Sequence, residues 1–214
     1  MNTSIDIKGT IISNDDKWIY DWYDIESVCP RDVLGKLNGT DDIDIYINSG
    51  GGDVIAASEI YEALRQYKGN VLIHVVGLAA SAASMIMCAR ECDISPTSLV
   101  MIHNVSTGVH GDKNAMSHEA EVLSAADEAV CAAYQIKTGK SKDELLDMMN
   151  EETWLPAPKA VELGFCNRVS GVSTLTNGYC RMVTDEQRQK FEARKRALTE
   201  YLAMEESQLD KGRI

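Results

Sequence analysis

The strongest constraint on this chain lies between Asp42 and Val76. Ile43, Ile45 and Ile47 alternate with Asp44, Tyr46 and Asn48, the period-two pattern of a strand with one buried face. Three glycines follow, Gly50 to Gly52. Val54 to Tyr67 then changes to helical spacing, with Ile55, Ile60, Ala63 and Leu64 on a broad apolar face. Lys68-Gly69-Asn70 turns the chain into a second β-branched run, Val71 to Val76. Strands that alternate with helices pair in parallel through right-handed crossovers, so the segment predicts an α/β fold.

The same alternation extends both ways. Ile5 to Ile12 reads as a strand closed by the turn Ser13-Asn14-Asp15-Asp16, and Asp32 to Leu37 as part of a helix closed by Asn38-Gly39. Ser81 to Ala89 is small and apolar, as in a buried helix, and Leu99 to Ile102 is a short strand. Lys113 to Lys137 predicts one long helix rich in Ala and Glu, ended by Thr138-Gly139. Ser141 can cap a helix from Lys142 to Met149, and Ala157 to Leu163 is a last short helix before Gly164. After Val169 the composition changes, and Asp185 to Ile214 is charged and helix-prone. The expected organisation is a domain over 1–169 and a charged extension over 170–214, read either as a solvated tail or as a segment that binds a partner or a neighbouring subunit.

Bulk properties exclude several classes. A net charge of -12 repels phosphate backbones, so nucleic acid is not an expected partner. No apolar run approaches the roughly 18 residues of a membrane span, and Met1 to Thr10 carries no secretory pattern. The six cysteines, Cys29, Cys88, Cys92, Cys131, Cys166 and Cys180, are expected as reduced thiols in a cytoplasm. Cys88 and Cys92 are spaced for one helix face, but no second pair completes a zinc site, so neither metal nor cofactor is expected.

Three features can carry chemistry. The glycine triplet after a strand lacks the lysine of a phosphate-binding loop, which leaves an oxyanion hole or an ordinary tight turn. Gly77-Leu78-Ala79-Ala80-Ser81-Ala82-Ala83-Ser84-Met85 joins a strand to an apolar helix. Such a turn presents a serine as a nucleophile does, or else serves close packing. His103 ends the strand Met101-Ile102-His103, where an imidazole can take a serine proton or be satisfied structurally. His74 reads as a structural histidine satisfied by backbone, and His110 and His118 as solvent-facing.

Taken in order, these features resemble the Clp protease family. The matching stretches are Ile47-Asn48-Ser49-Gly50-Gly51-Gly52, Gly77 to Ser81, Met101-Ile102-His103, Thr138-Gly139-Lys140-Ser141 and Ala157 to Gly164, within a span from Ile43 to Val169. The resemblance implies the crotonase-like fold of stacked βαβ units with a long handle helix, here Lys113 to Lys137. It implies Ser81 as nucleophile, His103 as general base, and the backbone N–H groups of Gly52 and Ala82 as oxyanion hole. The region of Gly51 and Asp53 would hold an extended polypeptide substrate. A homo-oligomer is implied, with rings of seven.

Three departures qualify the resemblance. Met148 aligns with the family's aspartate, so the third member of the triad is assigned to Asn150, with Asp147 as the alternative. The first strand stands close to Met1, without the family's preceding pore segment, so an ATP-dependent unfoldase is the weaker expectation among partners. The Gly-Gly-Gly-Asp turn, the Leu-Ala-Ala-Ser-Ala-Ala-Ser run and Glu-Glu-Thr-Trp-Leu are most similar to Clp-like head maturation (prohead) proteases of phages and prophages. The expected function is therefore a serine endopeptidase that cleaves capsid scaffold or unfolded polypeptide in a bacterial host cytoplasm. A catalytically decayed assembly protein and a crotonase-type acyl-CoA enzyme stand as the alternatives.

Overall fold

In the computed structural model, which describes residues 3–171, three parallel strands form the middle of an eight-stranded sheet: β1 (Thr3–Ile11), β3 (Ile43–Gly52) and β4 (Val71–Ala80). Ile5 stands beside Ile45, and Ile45 beside Ile73. The alternating Ile5, Ile7, Ile43, Ile45, Ile47, Ile73 and Val75 are no more than 2% exposed. Each such side chain contributes about 1.5–3 kcal/mol by leaving water. The chain divides into two units, and the first, residues 1–21 and 25–171, carries every element that builds the site.

The crossover from β3 to β4 is α3 (Val54–Gln66). It buries Ala56, Ala57, Ile60, Tyr61 and Leu64 in the common core. Ile55, expected on the apolar face, is 79% exposed instead. Asp53 caps this helix, its carboxylate accepting the Ala56 N–H at 2.8 Å. That cap satisfies one of the N–H groups left free in the first turn and fixes where the helix begins.

The sheet runs β2 (Ser27–Val28), β1, β3, β4, β5 (Glu91–Ile94), β8 (Arg168–Val169). β4 is long enough to serve two neighbours. Its first half, Leu72 to Val75, pairs with β5, and its second half, Leu78 to Ala80, pairs with β6 (Leu99–Ile102). β6 in turn holds β7 (Thr153–Pro156), the antiparallel exception. Sequence periodicity misses β5 and β7, since neither alternates. Cys92 lies on β5 rather than on a helix with Cys88, and its thiol stands 3.7 Å from that of Cys166. The five described cysteines are buried free thiols, and Cys180 lies outside the described residues.

The glycine triplet ends β3 rather than forming a separate turn. The ladder slips there on both sides: beside β1 between Lys8 and Thr10, and beside β4 where Ile47 pairs with Val75 but Ser49 with Ala79. Two side chains replace the lost backbone bonds. Asn48 Oδ1 accepts the Leu78 N–H at 3.1 Å. Ser49 Oγ donates to the Gly9 carbonyl at 2.6 Å and accepts the Gly51 N–H at 3.1 Å. A Cβ on Gly77 would lie 2.3 Å from Asn48 Oδ1, so a side chain there would push the Asn48 amide off the Leu78 N–H.

The long helix is α5 (Lys113–Thr138), and only its last turns join the core, through Val130, Cys131, Ala133 and Tyr134. α6 (Lys142–Asn150) and α7 (Ala157–Glu162) complete the unit, as expected. No helix among the described residues is long and apolar enough to cross a membrane. Of the extension expected over 170–214, all but residues 170 and 171 lie outside the described residues.

Ser49→Ala removes a hydroxyl that satisfies a carbonyl and an N–H in a buried place. It should lower stability by about 2 kcal/mol, seen as a lower urea midpoint with an unchanged slope.

Candidate active site

Ser81 stands at the junction of β4 and α4 (Ala82–Met87). Its backbone has φ 54° and ψ -127°, a region that costs a residue with a side chain about 1–3 kcal/mol. The conformation is held from several sides. The Ser81 N–H donates to the Met101 carbonyl at 2.9 Å, and its carbonyl accepts the Ser84 N–H at 2.9 Å and the Ser84 hydroxyl at 2.6 Å. All six residues of α4 are buried, so the elbow rests on a packed base.

β6 ends directly beneath this elbow, and the next residue is His103. Its Nε2 lies 2.8 Å from Ser81 Oγ. The two residues, 22 positions apart in sequence, are brought together by the pairing of Ala80 with Met101. Both are partly exposed, so a substrate can reach them. A serine hydroxyl in this arrangement can pass its proton to the imidazole as it attacks a carbonyl.

Gly51 faces the elbow from β3. With φ 97°, its position suits glycine, and a Cβ there would stand 2.7 Å from Ser81 Cβ and 3.0 Å from the Ala82 nitrogen. The bare backbone thus keeps open the space beside the Ala82 N–H. Gly52, at φ 145°, cannot carry a Cβ either, because it would meet the Ile11 carbonyl oxygen at 2.0 Å. The structure therefore brings together Ser81, His103, Gly51 and Ala82, with Gly52 next in the chain. Asp53 differs: its carboxylate is engaged as the cap of α3.

The residues considered for a third member lie apart from the imidazole. Asn150 Oδ1 accepts from Asn104 Nδ2 at 2.7 Å, so it binds the neighbour of His103 and not His103 itself. Asp147 is exposed on α6. Met148 packs against the core, and its carbonyl accepts the Thr153 hydroxyl at 2.7 Å. Among the described residues no hydrogen bond reaches His103 Nδ1.

Sequence reasoning missed two supports. Asp127 on α5 accepts the Val105 N–H at 2.6 Å, which ties down the chain just after His103. Tyr134, two turns further along α5, reaches Ser84 at 2.7 Å. An aromatic residue with a hydroxyl in an alanine-rich helix, and a serine one turn after Ser81, were the available signals. His74 is satisfied by side chains rather than by backbone, with Nδ1 2.8 Å from Asp93 Oδ1 and Nε2 3.5 Å from Asp44 Oδ1. His110 and His118 are exposed, as expected.

A parallel sheet with its strands crossing over through helices, a long projecting helix and a serine elbow facing a histidine define a peptidase of the Clp architecture. The model of the Clp protease family matches residues 31–173, and the chain belongs to that family. A similar curated relative is the ATP-dependent Clp protease proteolytic subunit 2 of Nocardia farcinica (strain IFM 10152). It is 28% identical over 149 residues, which cover 68% of this chain and 73% of the relative.

Gly51→Ala should reduce the reactivity of Ser81 by roughly 10²-fold or more, because its Cβ would occupy the space beside the Ala82 N–H. Labelling by an active-site phosphonylating probe measures this directly, on protein whose circular dichroism matches that of the unchanged chain.

Proposed function

We propose that this chain is a serine endopeptidase acting on polypeptide. Ser81 attacks the scissile carbonyl while His103 Nε2 takes its proton, and the histidine then gives that proton to the leaving amine. Water hydrolyses the acyl-enzyme by the reverse sequence. The N–H groups of Gly52 and Ala82 stabilise the oxyanion, and the backbone around Gly51 pairs with an extended substrate. The observation that carries this reading is the 2.8 Å contact between His103 Nε2 and Ser81 Oγ at a strained elbow. A decayed assembly protein would have no use for a serine held in that conformation.

Asn150 contributes through Asn104, holding the chain that follows His103, so its loss should cost less than the loss of the histidine. With Nε2 accepting from Ser81, the proton of a neutral imidazole resides on Nδ1.

Clp proteases form oligomeric rings, and α5 supports the same for this chain. Met116, Val122 and Ile136 are 45%, 45% and 63% exposed along it. A second copy covering this helix would bury them, and rings of seven are the expected assembly. The substrate class is unfolded polypeptide, with capsid scaffold as the natural case if the protein serves phage head maturation. The relative's name carries ATP dependence. An ATP-dependent unfoldase is the weaker expectation as a partner of this chain. We place 1–169 as the peptidase domain and 170–214 as its extension.

Digestion of an unfolded protein substrate, followed by gel and mass spectrometry, tests the proposal. Ser81→Ala and His103→Ala should each lower the rate by at least ~10³-fold and leave the mass of the assembly in solution unchanged. Cleavage that survives Ser81→Ala overturns the assignment.

A further inference from the structure

Behind the elbow, a chain of hydrogen bonds runs from α5 to the backbone of Ser81. The Tyr134 hydroxyl is 2.7 Å from Ser84 Oγ, and Ser84 Oγ is 2.6 Å from the Ser81 carbonyl oxygen. Both side chains have no exposed surface. Proton counting sets the direction. A carbonyl can only accept, so Ser84 spends its single hydroxyl proton on Ser81, and Tyr134 must donate to Ser84. Burial pushes the Tyr134 phenol above its ordinary range, which keeps that proton in place.

The destination of this chain is what gives it a consequence. The Ser81–Ala82 peptide is planar and trans, so its C=O and N–H point in opposite directions. Fixing the Ser81 carbonyl on the α4 side therefore aims the Ala82 N–H the other way, toward the space that Gly51 leaves open. A hydrogen bond to the carbonyl also polarises the amide, which strengthens its N–H as a donor. We infer that Ser84 and Tyr134 are positioning residues that hold the Ser81–Ala82 peptide so that its N–H faces the developing oxyanion. The inference rests on the reading of Ser81 as nucleophile and names the groups that make its oxyanion site rigid.

A buried hydroxyl pair could instead serve packing alone. The two roles separate in a double variant. Ser84→Ala leaves the Tyr134 hydroxyl buried without an acceptor, which destabilises the fold. Ser84→Ala with Tyr134→Phe removes both partners and relieves that cost, yet it does not restore the hydroxyl's bond to the Ser81 carbonyl, which keeps only the bond from the backbone N–H of residue 84. The urea midpoint should therefore fall in the single variant and recover in the double variant, while catalysis recovers in neither.

The test is steady-state hydrolysis of a fluorogenic peptide by the full chain, its Ser84→Ala and Tyr134→Phe variants and the double variant, each with its urea midpoint. The expected result is a kcat about 10-fold lower in Ser84→Ala and in the double variant, because the Ser81 carbonyl keeps only the bond from the backbone N–H of residue 84 and the peptide is held less rigidly against the reacting carbonyl. KM should stay within about twofold, since ground-state binding does not use this bond. Tyr134→Phe should show a smaller loss, because Ser84 still reaches the carbonyl. Equal kcat in all four proteins overturns the inference, as does a kcat that returns together with the urea midpoint in the double variant. Absence of hydrolysis in the unchanged chain, with no adduct on Ser81, overturns the nucleophile reading and this inference with it. Hydrolysis with a Ser81 adduct and unaffected variants overturns this inference alone.

Discussion

The backbone of Ser81 is the constraint from which the rest of the site follows. At φ 54° and ψ -127° it sits where a side chain is disfavoured, and a strand-to-helix elbow with this geometry would relax if left alone. Bonds on both of its peptide groups prevent that. Met101 on β6 takes its N–H, and Ser84 on α4 takes its carbonyl twice. The bond to Met101 also registers β6 against the elbow, and two residues later the chain reaches His103. The force that strains the nucleophile thus also delivers the base.

A second constraint lies in β3, where Gly51 must approach the elbow closely while the sheet stays paired. Bare backbone leaves polar groups without partners when a ladder slips, and an unpaired group in the interior costs more than its bond returns. Asn48 and Ser49 resolve this by standing in for backbone, one toward β4 and the other toward β1. The stretch Ile47-Asn48-Ser49-Gly50-Gly51-Gly52 thus combines a buried strand end, two substitutes for ladder bonds, Gly51, whose positive φ and lack of Cβ make room beside Ser81, and Gly52, which lies against the Ile11 backbone. The same account explains why Gly77 faces Asn48.

Much of this was legible in the sequence. The alternation of Ile43, Ile45 and Ile47 and the run Val71 to Val76 give β3 and β4, and the spacing of the small residues around Ser81 gives the elbow. Ser81 and His103 come within hydrogen-bonding distance, and Gly51 rather than Gly52 is the glycine that stands against Ser81 and Ala82. What was not legible depends on contacts between distant segments. β5 and β7 are too short and irregular to show a period, and exist because β4 and β6 offer them edges. Ile55 was grouped with the apolar face, but at 3.6 residues per turn it stands opposite the buried Leu64 and so faces solvent. Asn150 was chosen by proximity along the chain to Met148, and its amide instead meets Asn104. Tyr134 lies 50 residues from Ser84, a separation at which no local pattern operates.

The most direct test of the account is the reaction of the full chain with a fluorophosphonate, followed by intact mass and peptide mapping, beside His103→Ala. The account predicts one adduct per chain, on Ser81, formed at least ~10²-fold more slowly without the histidine. An adduct on another residue, or a Ser81 rate indifferent to His103, would contradict it.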